Sequence, residues 1–371
     1  MKSRIPDHVL RIVPYVPGKP IEAAVQESGL DDVVKLASNE NPLGPSPRAL
    51  EAARDAAVRV NRYPDGSGYA LRQALAARHR VGASQVVLGN GSTELVEIVA
   101  KTFLGAGRTA VVADRAFIMY RISVLAMNAP LVSVPLHDER HDLEAMARAC
   151  DARTVLVYVG NPNNPTGTYV GRETFERYFD QVPPHVLTVI DEAYFDYVEA
   201  PDYPDGLEFL RAGRNVLVLR TFSKIHGLAG LRIGYGITSP DIARALEAVR
   251  SPFNTSSVAQ AAALAALEDG GHVLRSRTEN AREARFVETE LRRRRIDFIP
   301  TVANFLLMRT GLAGETLFQG LLARGVIVRP MEAYGYRDAV RVSFGTHSEN
   351  ERFLRALDAV LAEPPESPGA P

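Results

Sequence analysis

The chain contains 371 residues, of which 46% are hydrophobic, and its formal net charge is -1. At roughly 150 residues per domain, this length predicts two domains with a large buried core. The balance of 43 basic and 44 acidic residues excludes a strongly basic nucleic-acid-binding protein and an acidic disordered chain. The single cysteine, Cys150, excludes an intrachain disulfide and a metal cluster built from cysteines.

The sequence indicates a cytoplasmic protein with no membrane partner. It contains no run of about 18 apolar residues that could cross a membrane. Residues 1–20 lack the apolar core of a secretory signal. A lone cysteine is also typical of a reducing compartment.

Residues 1–45 are predicted to form an N-terminal arm and part of a small domain. Several prolines lie within residues 1–20, and proline disfavours a helix interior. A short apolar strand is predicted at 33–37. Such an arm is ordered only where it packs on its own domain or on a partner subunit.

Residues 46–268 are predicted to form a large α/β domain. Short runs of Val, Ile and Leu without polar alternation are separated there by helical segments. Such runs are typical of a mostly parallel sheet that is sandwiched by helices. Seven strands are predicted, at 86–88, 110–113, 131–134, 154–159, 187–190, 216–219 and 233–237.

Residues 269–362 are predicted to form a smaller, discontinuous α+β domain together with the N-terminal segment. A long polar helix at 272–295 precedes short strands and two further helices, at 314–324 and 348–362. The basic run 292–295 suits the end of a solvated helix better than a nucleic-acid site. The tail 363–371 is predicted to be disordered because it is poor in apolar residues.

Polar loops follow two of the predicted strands, at the sheet edge where open α/β proteins bind ligands. The loop 89–94 (GNGSTE) opens a helix, so Ser92 and Thr93 could surround a phosphate, although an ordinary N-cap turn explains the pattern equally well. The loop 160–167 (GNPNNPTG) is rigid and could present an amide donor. Neither loop is a P-loop or a complete dinucleotide-binding motif.

Two charged residues follow further strands. Asp191 comes directly after the strand 187–190, where a buried carboxylate needs a cationic or protonated partner. Lys224 follows the strand 216–219, where partial burial would lower the pKa of its amine and make it nucleophilic. A magnesium site at Asp191 is the alternative, which the missing P-loop disfavours. The scattered histidines lack metal-ligand spacing, so no metal site is predicted.

Together these clusters fit one cofactor, pyridoxal 5'-phosphate (PLP). Lys224 would form a Schiff base with its aldehyde. Asp191 would keep the pyridine nitrogen protonated, so that the ring acts as an electron sink. The loops would supply donors to the remaining oxygens.

Several motifs resemble those of the fold type I PLP-dependent aminotransferases. They occur in the order of that family over residues 5–362, and the histidinol-phosphate aminotransferase branch is the most similar. The motifs are SNENPLGPSP at 38–47, NPNNPTG at 161–167, DEAYFDY at 191–197 and SKIHGLAGLRIGYG at 223–236.

The resemblance implies roles around the cofactor. Lys224 resembles the Schiff-base lysine, which also moves the substrate proton. Asp191 resembles the carboxylate that binds the ring nitrogen. Asn161 and Tyr194 match the donors to the ring oxygen, and Phe117 the aromatic that stacks on the ring. The phosphate pocket is implied at Gly91, Ser92, Thr93, Ser223 and Arg232.

The resemblance also implies a site for small anionic substrates. Arg341 would hold the α-carboxylate of glutamate, because a planar guanidinium suits a carboxylate. Arg329 and Tyr15 would bind the phosphate of histidinol phosphate. Asn39 and Asn304 are also expected to face the substrate.

A homodimer is implied as well. Tyr63 resembles a tyrosine that reaches the cofactor phosphate of the neighbouring subunit. The N-terminal arm is expected to contact that subunit.

The activity that the resemblance implies is a transamination in histidine biosynthesis. Histidinol phosphate and 2-oxoglutarate would be converted to imidazole-acetol phosphate and glutamate. Three alternatives stay open: an aromatic amino-acid aminotransferase, a PLP-dependent lyase similar to threonine-phosphate decarboxylase, and a non-catalytic cofactor-binding module.

Overall fold

The computed structural model describes residues 4–21, 25–26, 29–30 and 32–362. At its centre is a seven-stranded sheet, and the seven strands predicted from the apolar runs are confirmed. The strands are β2 (Val86–Gly89), β3 (Thr109–Ala113), β4 (Leu131–Val134), β5 (Thr154–Gly160), β6 (Leu187–Asp191), β7 (Val216–Thr221) and β8 (Gly234–Ile237). The order across this sheet is β2-β8-β7-β6-β5-β3-β4, and only the pairings of β8 are antiparallel.

Helices cover both faces of this sheet, which explains why its strands are apolar throughout. Val86 and Leu88 join one hydrophobic cluster, whereas Val87 between them joins a cluster on the opposite face. The two faces of one strand are therefore both buried. Helices in this part are α2 (Pro47–Ala57), α3 (Tyr69–His79), α4 (Gly91–Phe103), α5 (Ile118–Ala126), α6 (Leu143–Arg148), α7 (Arg172–Gln181), α8 (Gly206–Arg211), α9 (Pro240–Val249) and α10 (Ser257–Glu268), after the short α1 (Asp7–Leu10).

Serine side chains define the starts of three of these helices. Ser46, Ser239 and Ser256 each accept a hydrogen bond from the backbone N–H three residues later. A serine in this position satisfies one of the free N–H groups of the first turn. The sequence therefore fixes these boundaries locally.

The C-terminal part of the chain forms a second sheet, whose strands are β9 (Asp297–Ile299), β10 (Phe305–Arg309), β12 (Arg329–Pro330) and β13 (Ala339–Ser343). Their order in this sheet is β12-β13-β10-β9, and all pairings are antiparallel. Helices α11 (Gly270–Arg293), α12 (Gly314–Leu322) and α13 (His347–Ala362) accompany it.

The N-terminal segment joins this C-terminal part. Strand β1 (Val34–Lys35) pairs in parallel with β11 (Val326–Ile327), and Leu36 belongs to the same hydrophobic cluster as Phe353. The expected boundaries at residues 45 and 268 stay a prediction, which these contacts support. The predicted tail 363–371 lies outside the described residues.

No helix within the described ranges has the length and apolarity needed to span a bilayer.

Candidate active site

A cavity of ≈ 190 Å³ lies where the carboxyl ends of the central strands meet. Parallel strands end at the same edge of a sheet, so the residues that follow them converge there. Twelve of the sequence-predicted site residues line this cavity: Tyr15, Asn39, Ser92, Thr93, Phe117, Asp191, Tyr194, Ser223, Lys224, Arg232, Arg329 and Arg341.

The amine of Lys224 is the candidate nucleophile of the cavity. It follows β7 and donates a hydrogen bond to the carbonyl of Ser38 at 3.2 Å. Burial of the amine and the positive charge of Arg341 lower the pKa of Lys224 to about 7. A large fraction of this amine is therefore uncharged at neutral pH, which is the form that attacks a carbonyl.

The carboxyl group of Asp191 lies at the last position of β6 and is buried. Its Oδ2 accepts a hydrogen bond from Tyr120 Oη at 2.9 Å, and its Oδ1 accepts one from the Ala193 N–H at 3.2 Å. Burial raises the pKa of Asp191 to about 6, and these two donors oppose that rise. The group is thus suited to accept a hydrogen bond from a cationic ligand atom.

Tyr194 and Asn39 form a polar wall of the cavity. Asn39 Nδ2 donates to Tyr194 Oη at 2.9 Å, and the Ser343 hydroxyl donates to Asn39 Oδ1 at 3.0 Å. Burial raises the pKa of Tyr194 to about 12, so the phenol keeps its proton at neutral pH. Three segments that are far apart in the sequence are joined by these hydrogen bonds.

Arg232 forms the cationic end of the cavity, beside the first turn of α4. Its guanidinium donates to Ser223 Oγ at 3.2 Å and to the Ala229 carbonyl at 3.0 Å. Gly91 has φ +76°, and a Cβ added there would lie 2.4 Å from an Arg232 nitrogen. Only glycine therefore lets the helix N-terminus approach this guanidinium, and together they form an anion pocket.

Arg341 is buried and also lines the cavity. Its guanidinium donates to Asn164 Oδ1 at 2.5 Å and to the Ala37 carbonyl at 2.8 Å. Its Nε finds no hydrogen-bond partner, and no carboxylate in the described part of the chain forms an ion pair with it. The charge of Arg341 is therefore available to an anionic ligand.

Arg329 lies beside Tyr15 of the N-terminal arm. The guanidinium carbon is 5.5 Å from the centre of the Tyr15 ring, and one of its nitrogens donates to the Val16 carbonyl. A contact between a guanidinium and an aromatic face fixes the side chain without neutralising its charge. This part of the cavity is thus a second place for an anion.

Two of the predicted asparagines do not line the cavity. Asn161 forms hydrogen bonds through both ends of its amide with the backbone of Val170, at 2.8 and 3.2 Å. Asn304 is buried and donates to the Glu40 carbonyl at 3.2 Å. The expected ligand contacts of both side chains therefore stay a prediction, which these hydrogen bonds do not support, because the Asn161 amide and Asn304 Nδ2 bind backbone groups.

Asn164, from the same loop as Asn161, lines the cavity instead. The motif contains three asparagines, and their directions depend on the turn that the two prolines impose. Local sequence reasoning could not choose among them.

Tyr120 is a site residue that the sequence reasoning did not identify. It also lines the cavity, and it contacts Asp191. The sequence does contain one indication of this role, because Tyr120 lies three positions after Phe117 at the start of a helix. Residues at this spacing share a helix face.

Tyr63 lies outside the cavity and is 83% exposed. Its ring stacks on Phe253, with the ring centres 4.7 Å apart. Within one subunit it contacts none of the cavity residues named above, so its expected role depends on a second subunit.

The donor set of the cavity fits PLP. The amine of Lys224 suits an aldehyde, the anion pocket at Arg232 suits a phosphate, and the buried Asp191 suits a protonated ring nitrogen. Phe117 supplies an aromatic face to the same cavity.

The family described as aminotransferase class I and II matches residues 31–357 of the chain. The chain is 48% identical to the histidinol-phosphate aminotransferase of Moorella thermoacetica, over 95% of this chain and 92% of that protein. It is also 48% identical to histidinol-phosphate aminotransferase 2 of Pseudomonas fluorescens, over 95% of this chain and 96% of that protein.

Solved structures show the same fold. The histidinol-phosphate aminotransferase of Sinorhizobium meliloti, solved in complex with pyridoxal-5'-phosphate, superposes with a TM-score of 0.89. The match covers 97% of this chain and 98% of that one, with 28% sequence identity.

Proposed function

Because the chain belongs to the class I and II aminotransferase family, we propose that it is a PLP-dependent histidinol-phosphate aminotransferase. It would transfer the amino group of histidinol phosphate to 2-oxoglutarate, which gives imidazole-acetol phosphate and glutamate; the reverse direction uses the same groups. The observation that carries this proposal is the placement of Lys224, Asp191 and Arg232 around one cavity. The names of the relatives at 48% identity support the choice of substrate.

The cofactor would be held by residues at both ends of the cavity. Arg232, Ser223 and the first turn of α4 would bind the phosphate, and Asp191 would accept the ring N–H. When bound, PLP supplies an electron sink for the bond that breaks at the substrate Cα. Phe117 would cover one face of the ring.

Asn164 replaces Asn161 in this proposal as the amide near the ring oxygen. Asn164 lines the cavity, whereas both ends of the Asn161 amide bind the backbone of Val170. Tyr194, which lines the same cavity, would supply the second donor.

Lys224 would act twice. Its uncharged amine would hold the cofactor through the aldehyde, and its Nζ atom would accept and return the proton at the substrate Cα. A pKa of about 7 suits both steps, because the amine can accept and return a proton near neutral pH.

The two substrate-side arginines would have different ligands. Arg341 would bind the α-carboxylate of glutamate, because it is buried and lacks an acidic partner. Arg329 and Tyr15 would bind the phosphate of histidinol phosphate. Carboxylate and phosphate groups each present pairs of oxygen atoms that a planar guanidinium binds well.

A homodimer would complete the site. Tyr63 and Phe253 form a stacked aromatic pair at the surface, and the side chains of Val58 and Val60, which precede Tyr63 in the sequence, are also exposed. A large apolar patch on a protein surface is typical of an interface. Tyr63 would reach the cofactor phosphate of the partner subunit. A cytoplasmic location is also proposed, and the lone cysteine supports it.

Steady-state kinetics would test the substrate. With purified protein, PLP and glutamate, we expect imidazole-acetol phosphate to be a better amino acceptor than phenylpyruvate. A preference for phenylpyruvate would indicate an aromatic aminotransferase, and release of carbon dioxide without an acceptor would indicate the lyase.

A further inference from the structure

A buried hydroxyl contacts the carboxylate at the end of β6. Tyr120 Oη donates to Asp191 Oδ2 at 2.9 Å, and the Ala193 N–H donates to Oδ1 at 3.2 Å. Tyr120 is 2% exposed and Asp191 is 6% exposed. Each carboxylate oxygen therefore has one protein donor, and together the two donors fix the plane of the carboxyl group.

The position of the Tyr120 hydroxyl is itself fixed by packing. The Tyr120 ring stacks on Tyr158 with ring centres 5.1 Å apart and meets Phe117 edge-on at 5.6 Å. A Cβ added to Gly160 would lie 3.2 Å from Tyr120 Oη. Glycine at this position thus leaves the space in which the hydroxyl reaches Asp191.

The protonation states favour Tyr120 as the donor and Asp191 as the acceptor of this hydrogen bond. Burial and the nearby Asp191 charge hold the pKa of Tyr120 well above its usual range, so the phenol stays protonated. Its hydrogen bond opposes the rise that burial causes in the pKa of Asp191. The phenol therefore stabilises the charged carboxylate.

Resting on the proposed function, we propose that Tyr120 is a positioning residue, whose hydroxyl holds the Asp191 carboxylate in the orientation that accepts the N–H of the PLP ring. Phe117 is the N-cap residue of α5 and Tyr120 lies in its first turn. The start of α5 would thus contact the face of the PLP ring through Phe117, and through Tyr120 it would orient Asp191, which accepts the ring N–H. If Tyr120 only filled the core, its ring would suffice and the hydroxyl would be dispensable.

The variants Tyr120→Phe and Tyr158→Phe test this proposal as a matched pair. Tyr158 is equally buried and belongs to the same stack, but its hydroxyl donates to the Val96 carbonyl at 3.2 Å and does not touch Asp191. We expect both variants to lose similar thermal stability. Only Tyr120→Phe should weaken PLP binding, by about tenfold in equilibrium dialysis. It should also slow the single-turnover reaction with glutamate by about tenfold. The glutamate concentration that gives half the maximal rate should stay within about twofold of the unmutated value.

A second pair of measurements asks whether Tyr120 acts through Asp191. In the Asp191→Asn background, adding Tyr120→Phe should change PLP affinity less than about twofold, because coupled residues are not additive. Equal behaviour of Tyr120→Phe and Tyr158→Phe, or full additivity with Asp191→Asn, would overturn the proposal. Failure of the unmutated protein to bind PLP or react with glutamate would instead reject the proposed function.

Discussion

The cofactor half and the substrate half of the cavity are built differently. Lys224 and Ser92 each follow a strand of the central sheet within a few residues, and Asp191 is the last residue of such a strand. The substrate half combines the N-terminal arm and the strand β13, through contacts such as Asn39 with Ser343, and Arg341 joins it to Asn164 in the loop after β5. The first half depends on local strand–loop geometry, whereas the second depends on contacts between distant segments.

The largest effect is expected in the cofactor half, for Lys224→Ala. This variant removes both the nucleophile and the proton carrier, so turnover should fall by at least about 10⁴-fold and the visible absorbance of lysine-bound PLP should disappear. Lys101→Ala, a change on the exposed side of α4, is the control, and it should keep both the turnover and the visible absorbance. Retention of activity by Lys224→Ala would mean that another amine serves the reaction.

In the substrate half, Arg341→Lys should reduce kcat/KM for glutamate by about 10- to 100-fold. Lysine keeps the charge but loses the planar pair of donors, and hydrogen bonds between charged groups contribute about 1.5–3 kcal/mol each. PLP affinity should change less than kcat/KM, because Arg341 contacts the proposed cofactor residues only through Asn164. A loss of PLP affinity equal to the loss in kcat/KM would show that the two halves are not separate.

Arg329→Gln should distinguish the two substrates. Its guanidinium lies next to Tyr15, so the KM for histidinol phosphate should rise by about tenfold while the KM for glutamate stays within about twofold. Steady-state kinetics in both directions give the two values. Equal changes for both substrates would refute separate roles for the two arginines.

Gly91→Ala tests the anion pocket against a matched glycine. Gly91 and Gly107 both have positive φ, at +76° and +83°, so alanine should cost about 1–2 kcal/mol of unfolding free energy at either position. Only at Gly91 would the added Cβ lie 2.4 Å from Arg232, and Gly107 has open space. PLP affinity should therefore fall about tenfold in Gly91→Ala alone; an equal fall in Gly107→Ala would contradict the pocket assignment.

The smallest effect concerns pH. The amine of Lys224 attacks only without its proton, so the rate at which PLP combines with the apoprotein should rise as the pH increases through about 7. An ordinary lysine, with a pKa of 10.5, would show that rise only at much higher pH. Stopped-flow absorbance measurements give the midpoint, and a midpoint near 10 would show that the cavity does not lower this pKa.

The same division explains what the sequence could predict. The seven central strands follow from apolar runs, and Lys224 and Asp191 follow from their positions at or just after strand ends, which are local features. The role of Arg232 was implied by the family resemblance. The hydrogen bond between Asn39 and Ser343 joins residues 304 positions apart, so no local pattern contains it. The prediction named Asn161 and not Asn164, because local sequence does not show how this rigid loop meets Arg341 and Val170.

One measurement tests the central proposal most directly. PLP-loaded protein is mixed with glutamate alone, and then with imidazole-acetol phosphate. We predict that 2-oxoglutarate forms in an amount equal to the bound cofactor while the visible absorbance of lysine-bound PLP is lost, and that imidazole-acetol phosphate restores it with formation of histidinol phosphate. Restoration by phenylpyruvate but not by imidazole-acetol phosphate would contradict the proposed substrate, and no reaction with glutamate would contradict transamination itself.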